Sequence, residues 1–360
     1  MFYYLFYPLR DVFFGFNVFR YITLRSALGF ITSFLIVVLL GKFFIKYLKK
    51  MRIQEHIDMY GHLKLQAIFN GKKGTPTMGG VLIVSSILIS TFLWSRLDNA
   101  FIWLSLGILF WFGILGFFDD YQKFKNKKGL SRTPKLIAQL SLGAVLGFLI
   151  LRFEILEPRV HFPFFKEAVL NLGYLYIIWT ALVICASCNS VNFTDGLDGL
   201  AIGSILMVSL VFSVFSYISG NAAFSEYLLF PFVRDSGELS VFCSCILGAG
   251  LGFLWFNAQP AEVFMGDVGS SALGGVLGAV AIFTRKELWL LIAGGLFVIE
   301  ALSVILQIAS VKIFKKKLFK AAPFHHHLQL LGWPESKITV RLWIISSLFA
   351  ALAFATLKIR

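Results

Sequence analysis

FIWLSLGILFWFGILGFF, residues 101–118, runs for eighteen positions without a charge and ends on Asp119-Asp120-Tyr121-Gln122-Lys123. Its apolar side chains go all the way round a helix, so no face is left for water. A membrane span takes about 20 mostly apolar residues, and a run that stops abruptly on two carboxylates predicts a transmembrane helix ending at an interface. The rest of the chain repeats the pattern. Comparable runs lie at 27–45, 78–94, 136–151, 169–188, 200–218, 239–256, 268–284, 288–311 and 342–357. Together they predict an all-α polytopic integral membrane protein of ten transmembrane helices. The eighth run is the most dilute, because Gly269, Gly274, Gly275 and Gly278 interrupt it; membrane helices tolerate glycine where neighbours pack closely. Residues 1–25 are aromatic but broken by Arg10, Asp11 and Arg20, which predicts an interfacial helix rather than a signal peptide.

Composition agrees. Of 360 residues, 58% are hydrophobic and 14% charged, and mean hydropathy is +0.80, whereas soluble domains are about half apolar and a quarter charged. Intrinsic disorder, a collagen-like fibre and a disulfide scaffold are excluded together. The net charge of +14 does not predict a nucleic-acid partner, because the Lys and Arg residues sit between the apolar runs. Twenty of them follow the odd-numbered runs, among them Lys46, Lys49, Lys123, Lys125, Lys135, Lys312 and Lys315, and twelve belong to the even connections and termini. The positive-inside rule then places the odd connections in the cytoplasm and both termini outside, in the periplasm. Cys185, Cys188, Cys243 and Cys245 all lie in apolar runs, and a single CxxC lacks the second ligand pair of a zinc site. The longest connections, near 30 residues, are too short for an independent core, so 1–360 is expected to be one transmembrane catalytic domain.

Polar residues gather in the odd connections, which puts the expected site on the cytoplasmic face. The first ends in Gly71-Lys72-Lys73-Gly74-Thr75-Pro76-Thr77-Met78-Gly79-Gly80, and the second opens on Asp119-Asp120. The third carries Asn192, Asp195, Gly196, Leu197 and Asp198, the fourth Asn257, Phe264 and Asp267, and the fifth His325-His326-His327. Adjacent carboxylates at a helix C-terminus face an unfavourable dipole and need a cation. Asp198 and Asp267 could each be explained as helix N-caps, but capping leaves Asp195 and Asn192 without a role. Consecutive histidines cannot all face one metal from a regular helix, so contact with phosphate or sugar is the better reading, as hydrogen-bond donors or, when protonated, as cations. Glu300, inside the ninth run, is expected to have a buried partner. Carboxylates that hold Mg²⁺ and cations that neutralise phosphate oxygens describe phosphoryl transfer with a lipid-borne substrate.

The strings GTPTMGG, FFDDYQK, NSVNFTDGLDGLA, FLWFNAQPAEVFMGDVGS and APFHHHLQLLGWPE resemble the polyprenyl-phosphate sugar-1-phosphate transferases. The uninterrupted triple histidine followed by GWPE is similar to the phospho-N-acetylmuramoyl-pentapeptide branch. The resemblance covers essentially the whole chain; Phe193, Cys188 and Gln329 depart from the usual pattern. It implies transfer of phospho-N-acetylmuramoyl-pentapeptide from its UDP donor to undecaprenyl phosphate, giving lipid I and UMP with Mg²⁺, at the bacterial inner membrane in peptidoglycan synthesis. By the same resemblance Asp267 would ligate the metal, and Asp119 and Asp120 would lie beside the lipid phosphate, Asp119 as candidate base. Lys72, Gly196, Leu197 and Asp198 would shape the uridine pocket, with Phe264 stacking on uracil. Thr77, Asn192, Asp195 and Asn257 would line the neighbouring nucleoside and phosphate site, and Gln307, His326 and His327 the sugar and peptide path, with His325 also among the substrate-binding residues. The resemblance also implies a homodimer.

A phosphate monoester has its second pKa near 6, so the lipid phosphate is largely dianionic at neutral pH and direct attack is favoured over a route through an aspartyl-phosphate. A sister enzyme using a UDP-N-acetylhexosamine differs in the histidine loop. A transporter would place ionisable groups near the bilayer midplane, where only Glu300 lies.

Overall fold

A computed structural model of the chain describes residues 1–54, 72, 74–126, 129–165 and 168–358; Lys64, Gly71, Lys73, Lys127 and Lys128 lie outside the described residues. Ten long helices carry the architecture: α1 Ile22–Lys50, α2 Gly80–Trp94, α3 Ala100–Asn126, α4 Arg132–Arg152, α5 Tyr176–Thr194, α6 Leu200–Ser219, α7 Glu238–Asn257, α8 Gly266–Phe283, α9 Gly295–Phe314 and α10 Glu335–Ala355. Among the described residues nine helices are long and apolar enough to cross a membrane. The exception is α2, whose 15 residues reach about 22 Å at 1.5 Å per residue, short of a hydrocarbon core of about 30 Å. The chain is a mostly helical, multi-pass membrane protein.

The dilute eighth run forms the most deeply buried helix: 89% of the apolar window of α8 lies inside the protein. Its small residues let it pack against α2, α3, α5 and α6 at once, the close-approach packing that replaces hydrophobic drive between helices in lipid. On α3, a Cβ at Gly116 would come within 2.2 Å of the Asp267 carbonyl oxygen. That backbone contact sets the register of α3 on α8 and brings Asp119 and Asp120, one turn further along, beside Asp267. The outer helices expose apolar side chains instead, among them Leu39 and Phe43 on α1 and Ile313 and Phe314 on α9, as lipid-facing surfaces do.

Several boundaries differ from those expected. Residues 1–21 make three short helical segments, Phe2–Phe6, Tyr7–Asp11 and Phe14–Arg20, rather than one interfacial helix, and their aromatic rings gather on Trp94 at the end of α2. Helix α1 takes in Arg25 because Glu238, at the start of α7, receives its guanidinium in two 2.6 Å hydrogen bonds. The fifth run starts with a strand, not a helix: β1 Arg159–His161 pairs antiparallel with β2 Val169–Asn171, with Val160 opposite Leu170. The ninth run divides at Gly294 into Glu287–Ala293 and α9.

Candidate active site

Asp119 and Asp120 end the buried face of α3 and are each 3% exposed, while Asp267 stands in the first turn of α8. The three carboxylates are joined by two ammonium groups. Lys135 Nζ, from the first turn of α4, lies 2.9 Å from Asp119 Oδ2 and also bonds Asp267 Oδ2. Lys123 Nζ, one turn beyond the aspartates on α3, lies 2.9 Å from Asp267 Oδ1, 3.3 Å from Asp119 Oδ2 and 3.5 Å from Asp120 Oδ1. The unfavourable end of α3's own dipole is further offset by a second helix: Asp120 Oδ2 accepts the Val268 N–H at 3.1 Å, taking up a donor at the positive N-terminus of α8. Asp119 Oδ1 accepts the Leu130 N–H at 2.6 Å, so the connection to α4 folds back over the carboxylates. Asn192 Nδ2, from the last turn of α5, donates to Asp267 Oδ1 at 3.1 Å and to Ser270 Oγ at 2.9 Å. Thr77 reaches the same place, since a Cβ on Gly266 would meet Asp120 Oδ2 at 2.6 Å and Thr77 Oγ1 at 3.0 Å.

A second group of charges lies on the loop from Asp195 to Gly199. Lys72 Nζ bonds Asp198 Oδ1 at 2.6 Å and Glu335 Oε1 at 2.5 Å, and Glu335 Oε1 also accepts the Asp198 N–H at 2.9 Å. Asp198 Oδ2 takes the Ala261 N–H at 3.1 Å. Asn257 is buried and spends its amide on the loops, accepting from Gly199 N–H and donating to Val263 O. The half-buried Phe264 ring stands 5.8 Å from Lys72 Nζ, and the segment beneath it pairs with the 76–79 loop through Phe264 N–H to Pro76 O and Gly79 N–H to Phe264 O. Leu197, Leu200, Leu296, Ile338 and Leu342 form a separate apolar cluster under this loop, joining it to α9 and α10.

The three histidines begin a short helix, Phe324–Leu330, and face three ways. His325 is fully buried, its Nδ1 3.2 Å from Glu300 Oε2. His326 Nδ1 lies 2.8 Å from Gln329 Oε1, and burial, reinforced by the neighbouring His325, pushes its imidazole down to about 3. At neutral pH it is therefore a neutral hydrogen-bonding ring, not a cation. His327 Nδ1 accepts the Lys320 N–H at 3.1 Å. Gln307, on α9, clamps the same loop through the N–H groups of Leu318 and Phe319 and the Phe319 carbonyl.

The model of Glycosyl transferase family 4 matches residues 102–285, and a phospho-N-acetylmuramoyl-pentapeptide-transferase signature matches residues 72–84. Proteins named phospho-N-acetylmuramoyl-pentapeptide-transferase from Desulfotalea psychrophila and Citrifermentans bemidjiense are each 47% identical to this chain, and one from Nitratidesulfovibrio vulgaris is 46% identical, all with full coverage of both chains. This chain belongs to the phospho-N-acetylmuramoyl-pentapeptide-transferase family. The signature segment is the one that carries Lys72 and Thr77 to the two charge clusters.

Sequence reasoning named most of these residues but not their partners. The structure brings Asp119, Asp120, Asp267, Asn192 and Thr77 into one cluster, and Lys72, Asp198, Leu197, Asn257 and Phe264 into an adjoining one. Asp195 and Gly196 lie on the loop between them. His325 is fully buried between Glu300 and Gly196. Gln307, half-buried, bonds the 318–319 loop. Glu335 was missed as a charge partner, although its position directly after Gly332-Trp333-Pro334, at the start of a helix, was a visible signal. Lys135 is legible in the sequence only as positive charge on the face, whereas the spacing of Lys123 from Asp119 and Asp120 on one helix already suggests that it pairs with them.

Proposed function

We infer that this chain transfers phospho-N-acetylmuramoyl-pentapeptide from its UDP donor to undecaprenyl phosphate, forming lipid I and UMP. The observation that carries the reading is the lysine-bridged cluster of Asp119, Asp120 and Asp267, built where apolar helices end and adjoining the Lys72–Asp198–Glu335 group. Such an arrangement suits a phosphate on a lipid meeting the pyrophosphate of a soluble nucleotide. The full-length relatives that bear this activity in their names support it.

The reading includes Mg²⁺. Among the described residues no three carboxylate, imidazole or thiolate groups form a closed metal cage. Mg²⁺ needs none, because it is usually held by one or two carboxylates together with waters and substrate phosphates. Asp267 offers two hard oxygens, both now facing ammonium groups, and positions that attract an ammonium suit a divalent cation; the donor set fits. Asp267 would hold the ion, which when bound would offset charge on the pyrophosphate and the departing UMP.

The chain's own groups do the rest. Lys123 and Lys135 supply cations for phosphate oxygens. The dianionic lipid phosphate attacks the phosphorus next to the sugar, and the bond to UMP breaks. Asp119 holds Lys123, Lys135 and the Leu130 N–H, so its part is to position those donors. The neutral His326 is suited to hydrogen-bond the sugar or peptide. Purified protein with Mg²⁺, undecaprenyl phosphate and labelled UDP-N-acetylmuramoyl-pentapeptide should release UMP and form a lipid-linked product. Turnover only with a UDP-N-acetylhexosamine would replace this reading with the sister activity.

Phe264 is assigned as the face on which uracil stacks. Phe264→Ala should weaken UMP binding by roughly 1–3 kcal/mol, the range for base–aromatic stacking, and Phe264→Trp should lose less; unchanged UMP affinity in Phe264→Ala would move the base elsewhere.

The proposal extends to ten crossings of the bacterial inner membrane with α2 as the short one, both termini periplasmic, a single catalytic bundle, and a homodimer that sizing in detergent would detect. Lys123, Lys125 and Lys135 mark the α3–α4 connection as cytoplasmic. In a variant without native cysteines, Asn126→Cys, at an exposed site, should be labelled by a membrane-impermeant thiol reagent only after the cells are opened. Labelling in intact cells with a permeable outer membrane would reverse the orientation.

A further inference from the structure

Glu300 is the acid within α9 that the reaction does not use. It is 0% exposed, as is His325, and the two come together with His325 Nδ1 3.2 Å and the His325 backbone nitrogen 3.4 Å from Glu300 Oε2. On its other edge the ring rests on the donor-side loop: a Cβ added to Gly196 would lie 2.3 Å from His325 Nε2. The next ring, His326, packs edge-on against His325 with centroids 4.2 Å apart. The couple therefore touches three things at once, namely α9, the loop that runs to Asp198, and the helix that carries His326.

Burying an ionisable pair in an apolar span is a poor way to gain stability, since well-packed apolar side chains of similar size serve as well or better. Such packing is present beside it, where Leu296, one turn before Glu300, joins Leu197 and Ile338. What Glu300 adds is direction: its Oε2 accepts the His325 backbone N–H and lies 3.2 Å from the ring Nδ1, which holds the start of the histidine helix, and with it the ring, at a fixed place on α9.

We propose that Glu300 is a positioning residue for the sugar-nucleotide donor: through His325 it sets the spacing between the Asp195–Asp198 loop on the nucleotide side and His326 on the sugar and peptide side. This rests on the donor assignment made above. Neither Glu300 nor His325 reaches the Asp119–Asp120–Asp267 cluster through any contact described, so the lipid acceptor should be indifferent to the pair.

The test is steady-state kinetics in which donor and acceptor are varied separately, on the parent protein, Glu300→Gln, His325→Gln and the two combined. The expected result is a rise of about tenfold or more in donor KM, an unchanged acceptor KM and little change in kcat per folded molecule, the pattern of lost ground-state binding. The double variant should be no worse than the more severe single one, because both remove the same coupling. An apolar replacement of both residues, Glu300→Leu with His325→Leu, covers the case in which a single variant does not fold. It should fold and show the same donor defect. Parental donor KM in any folded variant would overturn the proposal, as would a loss of kcat that tracks the folded fraction with both KM values unchanged. A parent protein that does not use the donor at all would count against the assigned function instead, so the two failures are distinguishable.

Discussion

Asp267→Asn is expected to lower kcat by about 10²–10³-fold or more, the range seen when a preorganised charge partner of a transition state is removed, while the protein still folds. Both oxygens of Asp267 are in use: Lys123 is 2.9 Å from Oδ1, Lys135 bonds Oδ2, and Asn192 donates to Oδ1. An amide removes the charge and sets an NH₂ group against an ammonium or against the Asn192 amide, which is also a donor. Lys123 and Lys135 then have Asp119 and Asp120 as their remaining partners in the cluster and are drawn away from α8. If Asp267 also holds Mg²⁺, its affinity falls with the same change. UMP release should be followed at ordinary and at raised Mg²⁺, with thermal unfolding in detergent as the control. Partial recovery at high Mg²⁺ would point to a weakened metal site, and absence of recovery to the loss of the lysine bridge. Turnover near the parental value at ordinary Mg²⁺ would remove Asp267 from the chemistry.

The helical architecture was largely legible because membrane spans announce themselves by length and polarity, a local property. What failed locally was whatever depends on a neighbour. Gly269, Gly274, Gly275 and Gly278 lower the hydropathy of α8, yet they are the reason it is the most deeply buried helix, since burial inside a bundle is set by how closely backbones approach. Val169 and Leu170 look like the start of a span until their strand pairing with Val160 and Arg159–His161 is known.

The site divides in the same way. Carboxylates and histidines in loops between apolar runs are conspicuous, so the residues were found. Their pairings link distant points in the chain: Lys72 with Asp198 and Glu335, Asp120 with the Val268 N–H, Glu300 with His325. No spacing rule reports a contact across 126 or 263 positions. The exception is Lys123, whose spacing from Asp119 and Asp120 on one helix did foretell the ion pairs.

Gly266→Ala should cost about 10²-fold in kcat, the scale of a misplacement near 1 Å at a reacting centre. Gly266 has φ +74°, a left-handed conformation that costs an L side chain roughly 1–2 kcal/mol. The larger effect comes from space. The new methyl would lie 2.6 Å from Asp120 Oδ2 and 3.2 Å from the Met78 backbone nitrogen, so either the carboxylate or the start of α8 must move. Asp120 is tied to α8 by the Val268 N–H, and a shift of one displaces the other, along with Asp267 one residue from the substitution. Gly74→Ala separates strain from displacement: Gly74 has φ +96° but nothing within 4 Å of an added Cβ. It should lose a little thermal stability and keep its kcat. If the two variants lose activity equally, backbone strain alone accounts for the effect and the close fit at Asp120 does not matter. If Gly266→Ala loses turnover while Gly74→Ala does not, the glycine is there to let Asp120 and Asp267 share one small volume, which is the geometry the lysine bridge requires.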